Sequence, residues 1–204
     1  QSYNFIEDYE ISFMIVFIVL VTLLILYIVY ENHTRNKELL KYAQTDALTG
    51  LYNKETTEQL TDELLSEDEN KYHAFLILDV DCFKQINDIY GHAVGDIVLQ
   101  KFGKLLKGTF REGDILGRIG GDEFGVIMKN IQTKDIAMKK AGELLAKTQA
   151  YKIDELKGNN ISISIGISTA PQDGDCYMDL YKRADQALYQ AKRSGKARVC
   201  NYFS

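Results

Sequence analysis

The sequence predicts an α+β domain, a mostly antiparallel central sheet flanked by helices, behind one transmembrane helix. Three observations predict it. Residues 11–30 carry no charge, amphipathic and apolar runs of different period alternate after residue 45, and two strand-like runs are joined by a glycine pair.

The uncharged run "ISFMIVFIVLVTLLILYIVY" comes first. At about 1.5 Å of rise per residue, a helix of that length spans roughly the 30 Å of bilayer hydrocarbon. Glu7, Asp8 and Glu10 precede it, whereas Arg35, Lys37 and Lys41 follow. The positive-inside rule therefore makes residues 1–10 an extracytoplasmic stub and places everything after Tyr30 in the cytoplasm. The run is too long for a cleaved signal peptide and lacks a small-residue cleavage pattern. The expectation is a single-pass protein of the inner or plasma membrane. The chain opens on Gln1 rather than Met, which reads as a fragment or processed form.

Residues 31–44 continue as a juxtamembrane helix with Leu39, Leu40 and Ala43 on one side, the seam of a dimer. "TDALTGLYNK" breaks that pattern with a turn at Thr49-Gly50, and a helix then runs to about Leu65. "YHAFLILDVD" (Tyr72–Asp81) is a buried strand. A short helix, a break near Gly91 and a long amphipathic helix from about Val94 follow it. "DILGRI" and "FGVIM" form a hairpin whose tight turn is Gly120-Gly121. "KDIAMKKAGELLAKTQ" is helical, "ISISIGIS" (Ile161–Ser168) alternates as a strand, and a helix from Tyr177 is closed by Gly195. "ARVCNYF" completes the sheet as an edge strand. Residues 45–204 form one domain with a single core.

A net charge of −5 with no long basic run argues against a nucleic-acid surface. Cys82, Cys176 and Cys200 show no metal-binding spacing, as expected of reduced thiols.

The acids are harder to explain as architecture. Asp81 fits the cap of the helix that begins just after it. Asp79 lies deeper, behind "FLIL", where an unpaired carboxylate is costly. A hairpin beside that strand brings Asp79 towards Asp122 and Glu123, and three crowded carboxylates call for a divalent cation. Oxygen ligands without His or Cys point to Mg²⁺, with Mn²⁺ as the alternative.

"RIGGDEF" resembles the motif that names the GGDEF family of diguanylate cyclases. The likeness extends over "DALTGLYN", "LDVDCFKQINDIYGHAVGD", "SIGIS" and "ADQALYQAKRSGK", from Asp46 to about Val199. It implies a palm-like fold and condensation of two GTP into cyclic di-GMP with release of two pyrophosphates. By position, Asp79, the Val80 carbonyl and Asp122 would hold the metal with Glu123 assisting, and Asp122 or Glu123 would accept the proton. Gly120 and Gly121 would let the backbone approach the phosphates. Asn87 and Asp96 would read the guanine edge, with His92 near the nucleotide; an Asp96 carboxylate also suits a helix N-terminus. Lys84, Lys192 and Lys196 would contact phosphates, Lys84 in the transition state. The family often has Arg-Asn where Lys196-Ala197 stands here. Because each domain takes one GTP, catalysis implies a homodimer facing across a two-fold axis.

"REGD" resembles the family's RxxD product-inhibition site, by which Arg111 and Asp114 would bind cyclic di-GMP; by itself the pair also reads as a surface salt bridge. Where members often carry a second arginine, this chain has Gly142 preceded by Lys139 and Lys140. The alternative is an inactive GGDEF domain that senses cyclic di-GMP through Arg111 and Asp114.

Overall fold

A computed structural model describes residues 13, 14, 17–32, 35, 44–67 and 71–202. The chain divides into two units, Gln1–Ala43 and Gln44–Ser204.

In the first unit, α1 (17–32) is helical, and every described side chain on it is exposed. The exposure is apolar on all sides, from Phe17 and Leu20 to Ile28 and Tyr30. Among the described residues no helix is long and apolar enough to cross a membrane. Residues 11, 12, 15 and 16 of the expected span lie outside the described residues, as does most of the expected juxtamembrane helix 31–44.

The second unit carries α2 (Lys54–Glu67), β1 (His73–Val80), α3 (Phe83–Tyr90), α4 (His92–Lys107), β2 (Ile115–Arg118) and β3 (Glu123–Met128). After these come α5 (Lys134–Ala150), a 3-10 turn (Asp154–Leu156), β4 (Ile163–Ala170), α6 (Tyr177–Arg193) and β5 (Val199–Asn201). The sheet order is β2-β3-β1-β4-β5. Every pairing is antiparallel except β4 with β5, so the sheet is mixed.

The central strand β1 is buried along its whole length, as the apolar run requires. Its alternate residues serve two cores. Ala74, Leu76, Leu78 and Val80 pack with Phe102 and Leu106 of α4 and Leu144 of α5. Phe75 and Ile77 pack with Leu64 of α2 and with Tyr177, Leu180 and Leu188 of α6. Asp79 occupies the next place in that second stripe. The apolar side of the sheet thus ends in a carboxylate, on the face that α6 covers.

Gly166 explains how closely α6 lies: a Cβ there would come within 2.1 Å of the Ala184 carbonyl oxygen. The missing side chain seats the helix on β4, and α6 returns its last turn to the end of β1 where Asp79 stands.

Several boundaries differ from the sequence-based expectations. The hairpin is looser than a two-residue turn, because β2 ends at Arg118 and β3 starts at Glu123. Neither Gly120 nor Gly121 is among the glycines of positive φ, so the primed turn expected for Gly-Gly does not form. The helix α4 starts at His92, two residues early. All three cysteines are free.

Candidate active site

The site forms where β1 and β3 end together. Asp79 and Glu123 are direct cross-strand partners, so their side chains leave the sheet on the same face. Asp122 precedes Glu123 by one residue, and its carbonyl oxygen accepts the Val80 N–H at 3.3 Å. Opposite them, Lys192 in the last turn of α6 places Nζ 2.7 Å from Asp79 Oδ2.

Electrostatics mark this end of the sheet. Burial pushes the Asp79 carboxyl up; Lys192 opposes the rise, and the charges of Asp122 and Asp81 add to it. Burial also raises Glu123, and the charge of Asp79 raises it further. The charge of Asp122 thus disfavours ionisation of both Asp79 and Glu123, a penalty that a bound cation relieves. An all-oxygen donor set of this kind suits Mg²⁺ or Mn²⁺. The expected trio is nonetheless loose. Among the described residues, the one group of three metal-capable side chains with ligand atoms within 4.8 Å of each other is Asp175, Cys176 and Asp179. That group precedes or opens α6, at the far end of the sheet. Asp79, Asp122 and Glu123 share a corner without closing to that distance.

Asp81 is not the cap expected of it. Cys82 takes the N-cap position of α3, with a left-handed φ of 57° and no side-chain cap. The Asp81 carboxylate instead accepts Ser162 Oγ and Ser164 Oγ, each at 2.7 Å, and the Ala197 N–H at 3.1 Å. It ties β1 to β4 and to the segment after α6.

Asn87 on α3 faces Gly95 of α4, the residue before Asp96. A Cβ on Gly95 would fall 1.9 Å from Asn87 Oδ1, so the glycine makes room for the amide. That oxygen is buried and has no hydrogen-bond partner among the described residues. Asp96 is exposed and lies beyond the first turn of α4, which removes the helix-terminal role suggested for it. His92, the first residue of α4, is exposed, as is Lys84 on α3. Lys196, also exposed, has φ 61° and donates from Nζ to Cys82 Sγ at 3.1 Å.

The two hairpin glycines differ. A Cβ on Gly121 would meet nothing within 4 Å, whereas one on Gly120 would sit 2.8 Å from Glu123 Oε2. Gly120 thus leaves space for an acid of the site itself.

Sequence reasoning missed Arg118. Its Nε and Nη2 donate to the Gly121 carbonyl at 3.1 and 2.7 Å, and Nη1 reaches both carboxylate oxygens of Asp46 at 3.3 and 3.2 Å. The available signal was a lone cation between a strand and a glycine turn.

Arg111 and Asp114 lie at the opposite end of β2. Asp114 is nearly buried, Arg111 is 60% exposed, and Arg111 Nε donates to Asp114 Oδ1 at 3.0 Å. Arg111 also reaches the Lys129 carbonyl, while the Lys129 N–H donates to Asp114. Both line a cleft of about 540 Å³ together with Thr109, Met128 and Lys140. Gly142 does not line it; Lys140 does, while paired with Glu143 at 3.0 Å.

Comparison with known proteins adds to this geometry. Residues 43–198 match the family model described as "Diguanylate cyclase, GGDEF domain". Diguanylate cyclase A of Treponema denticola is 37% identical over 171 residues, 80% of this chain and 46% of that protein. The response regulator PleD of Caulobacter vibrioides is 36% identical over 177 residues, 83% of this chain and 39% of that protein. The chain therefore spans about half the length, or less, of these relatives. The coiled coil and GGDEF domain of DgcB from Caulobacter crescentus, solved with c-di-GMP, superposes with a TM-score of 0.78 at 25% identity. That likeness covers 85% of this chain and 93% of the DgcB chain. The GGDEF domain of TpbB from Pseudomonas aeruginosa gives a TM-score of 0.74 at 33% identity, over 78% and 94% of the two chains.

Proposed function

Because this chain belongs to the family of diguanylate cyclase GGDEF domains, we propose that it condenses two GTP into cyclic di-GMP and two pyrophosphates. The observation that carries the reading is the buried cross-strand pair Asp79–Glu123, with Asp122 beside it and Lys192 against it.

Asp79, the Val80 carbonyl and Asp122 would hold Mg²⁺ or Mn²⁺, with Glu123 assisting. A divalent cation there supplies Lewis-acid polarisation and offsets the triphosphate charge. The chain's own residues do the rest. Asn87 and Asp96 take the guanine: a carboxylate accepts from the ring N1–H and the exocyclic amine, which adenine does not present side by side. The orphaned Asn87 Oδ1 gains a donor in that arrangement. Lys84, Lys192 and Lys196 steady the phosphates, Lys84 as charge develops. The 3′-hydroxyl of one GTP attacks the α-phosphate of the other, pyrophosphate leaves, and the carboxylate of Asp122 or Glu123 takes the hydroxyl proton. The same step run in the opposite direction across a two-fold axis closes the ring, so the active form is a homodimer.

The apolar run 11–30 anchors the protein in the inner or plasma membrane with the catalytic domain in the cytoplasm. An α1 that is apolar and exposed on every side suits lipid better than water. Residues 31–44 would pass a signal to the dimer. Crosslinking that stretch should change activity, and unchanged activity would count against the role.

The cleft at Arg111 and Asp114 favours product binding there, as feedback inhibition or, in an inactive domain, as sensing. Incubation with GTP and Mg²⁺, with product analysis, separates the readings. The expected outcome is cyclic di-GMP from the parent protein and none from folded Asp79→Ala or Asp122→Ala. Full activity in both variants would refute the metal assignment, and no turnover in a forced dimer would favour the sensor.

A further inference from the structure

We propose that Arg118 is a positioning residue for the turn that carries Asp122, and that Asp46 is its anchor; the inference rests on the cyclase reading.

Arg118 spends its whole guanidinium on two targets. Nε and Nη2 converge on the Gly121 carbonyl, and Nη1 spans the Asp46 carboxylate. The Gly121 carbonyl belongs to the rigid peptide plane that ends in the Asp122 N–H, so holding that oxygen fixes where Asp122 begins. On its other side, the Asp122 carbonyl oxygen accepts the Val80 N–H. Both peptide groups flanking Asp122 are therefore held, in a connection where no turn of the primed type sets the geometry.

The anchor is itself built. Thr49 donates to Asp46 Oδ1 from its N–H at 2.9 Å and from Oγ1 at 2.7 Å. The Asp46 N–H donates to the Leu51 carbonyl, and the Asp46 carbonyl accepts the Gly50 N–H. Burial opposes ionisation of Asp46, but Thr49 and Arg118 together hold its carboxyl below the ordinary value. Both side chains of the pair are largely screened from water, with 16% of Arg118 and 23% of Asp46 exposed.

Segment 44–53 also lies along β2, the edge of the sheet. Tyr52 N–H donates to the Leu116 carbonyl, and Arg118 N–H donates to the Tyr52 carbonyl. The segment closes on itself where Asn53 N–H meets the Gln44 carbonyl. This gives "DALTGLYN" a physical purpose that the catalytic assignments leave open. It covers an edge strand and supports, through one arginine, the turn beside the metal-binding corner.

The test compares the parent protein with Arg118→Lys and Asp46→Asn. A lysine keeps the charge but has a single nitrogen and cannot serve both targets. Steady-state rates with Mg²⁺–GTP should show kcat down about ten- to a hundred-fold in Arg118→Lys with KM little changed, as misplacement of reacting groups gives. Asp46→Asn, which keeps one acceptor oxygen, should lose less. Amide exchange without nucleotide should accelerate at Val80, whose N–H donates to the Asp122 carbonyl, in both variants. A parent-like kcat in Arg118→Lys, or unchanged Val80 exchange, would overturn the proposal. Should the parent protein make no product, the cyclase reading falls and the exchange result alone decides the clamp.

Discussion

The end of β1 and the turn after it hold two aspartates, Asp79 and Asp81, each 7% exposed and two residues apart. Their surroundings are opposite. Asp81 accepts three hydrogen bonds from neutral donors, two of them serine hydroxyls on or next to β4. Asp79 has one lysine, and it faces Glu123 and the charge of Asp122. The first carboxylate is satisfied by the fold, and the second is compensated only in part, by Lys192. Equal burial therefore separates a structural acid from a candidate metal ligand only when partners are counted.

The sharpest way to break this contrast is to remove each acid. Asp79→Ala should lower cyclic di-GMP formation by at least about a hundred-fold, the scale on which loss of one charge-stabilising group acts. Its thermal unfolding should stay close to that of the parent. Asp81→Ala should do the reverse in first effect. It orphans three buried or half-buried donors, and calorimetry should show about 3 kcal/mol of lost stability, or roughly 6–12 °C in Tm.

A second separation uses ligand. Mg²⁺ with a non-reacting GTP analogue at a hundred times its Kd should stabilise the parent protein by about 2.7 kcal/mol. Asp79→Asn should lose most of that gain. An equal gain in the variant would mean that the cation sits elsewhere.

The smallest expected effect is in the pH dependence of the metal-free protein. Asp79 and Glu123 have folded values raised above their ordinary 3.8 and 4.5. Groups raised in this way stabilise the fold fully below those ordinary values, and the contribution is lost as pH climbs through the raised ones. The stability of Asp79→Asn relative to the parent should therefore improve from pH 4 to pH 8. A relative stability that falls over that range would mean that Lys192 outweighs burial at Asp79.

Much of this was legible in the sequence. The continuous apolar run in "YHAFLILDVD" needs cover on both faces, and the strand it forms is buried at every position. The hairpin acids were legible for the same reason, since charge at the end of an apolar run needs a cause. Other features depend on partners far along the chain. Asp81 meets Ser162, Ser164 and Ala197, and Asp79 meets Lys192, all through the return of β4 and α6. Local pattern carries no information about such pairings, so the nearest role, a helix cap, was the wrong one for Asp81. Arg118 escaped for a similar reason, because Asp46 lies on a separate segment. The parallel β4–β5 pairing was equally hidden, since period shows that a strand exists and not its direction.

The most direct measurement is a titration of Mn²⁺ followed by electron paramagnetic resonance, with a non-reacting GTP analogue present. The parent protein should remove the free Mn²⁺ signal at a stoichiometry of about one or two ions per chain, and folded Asp79→Asn should bind at least about ten-fold more weakly. Equal binding by both proteins would contradict the assignment of Asp79 to the metal.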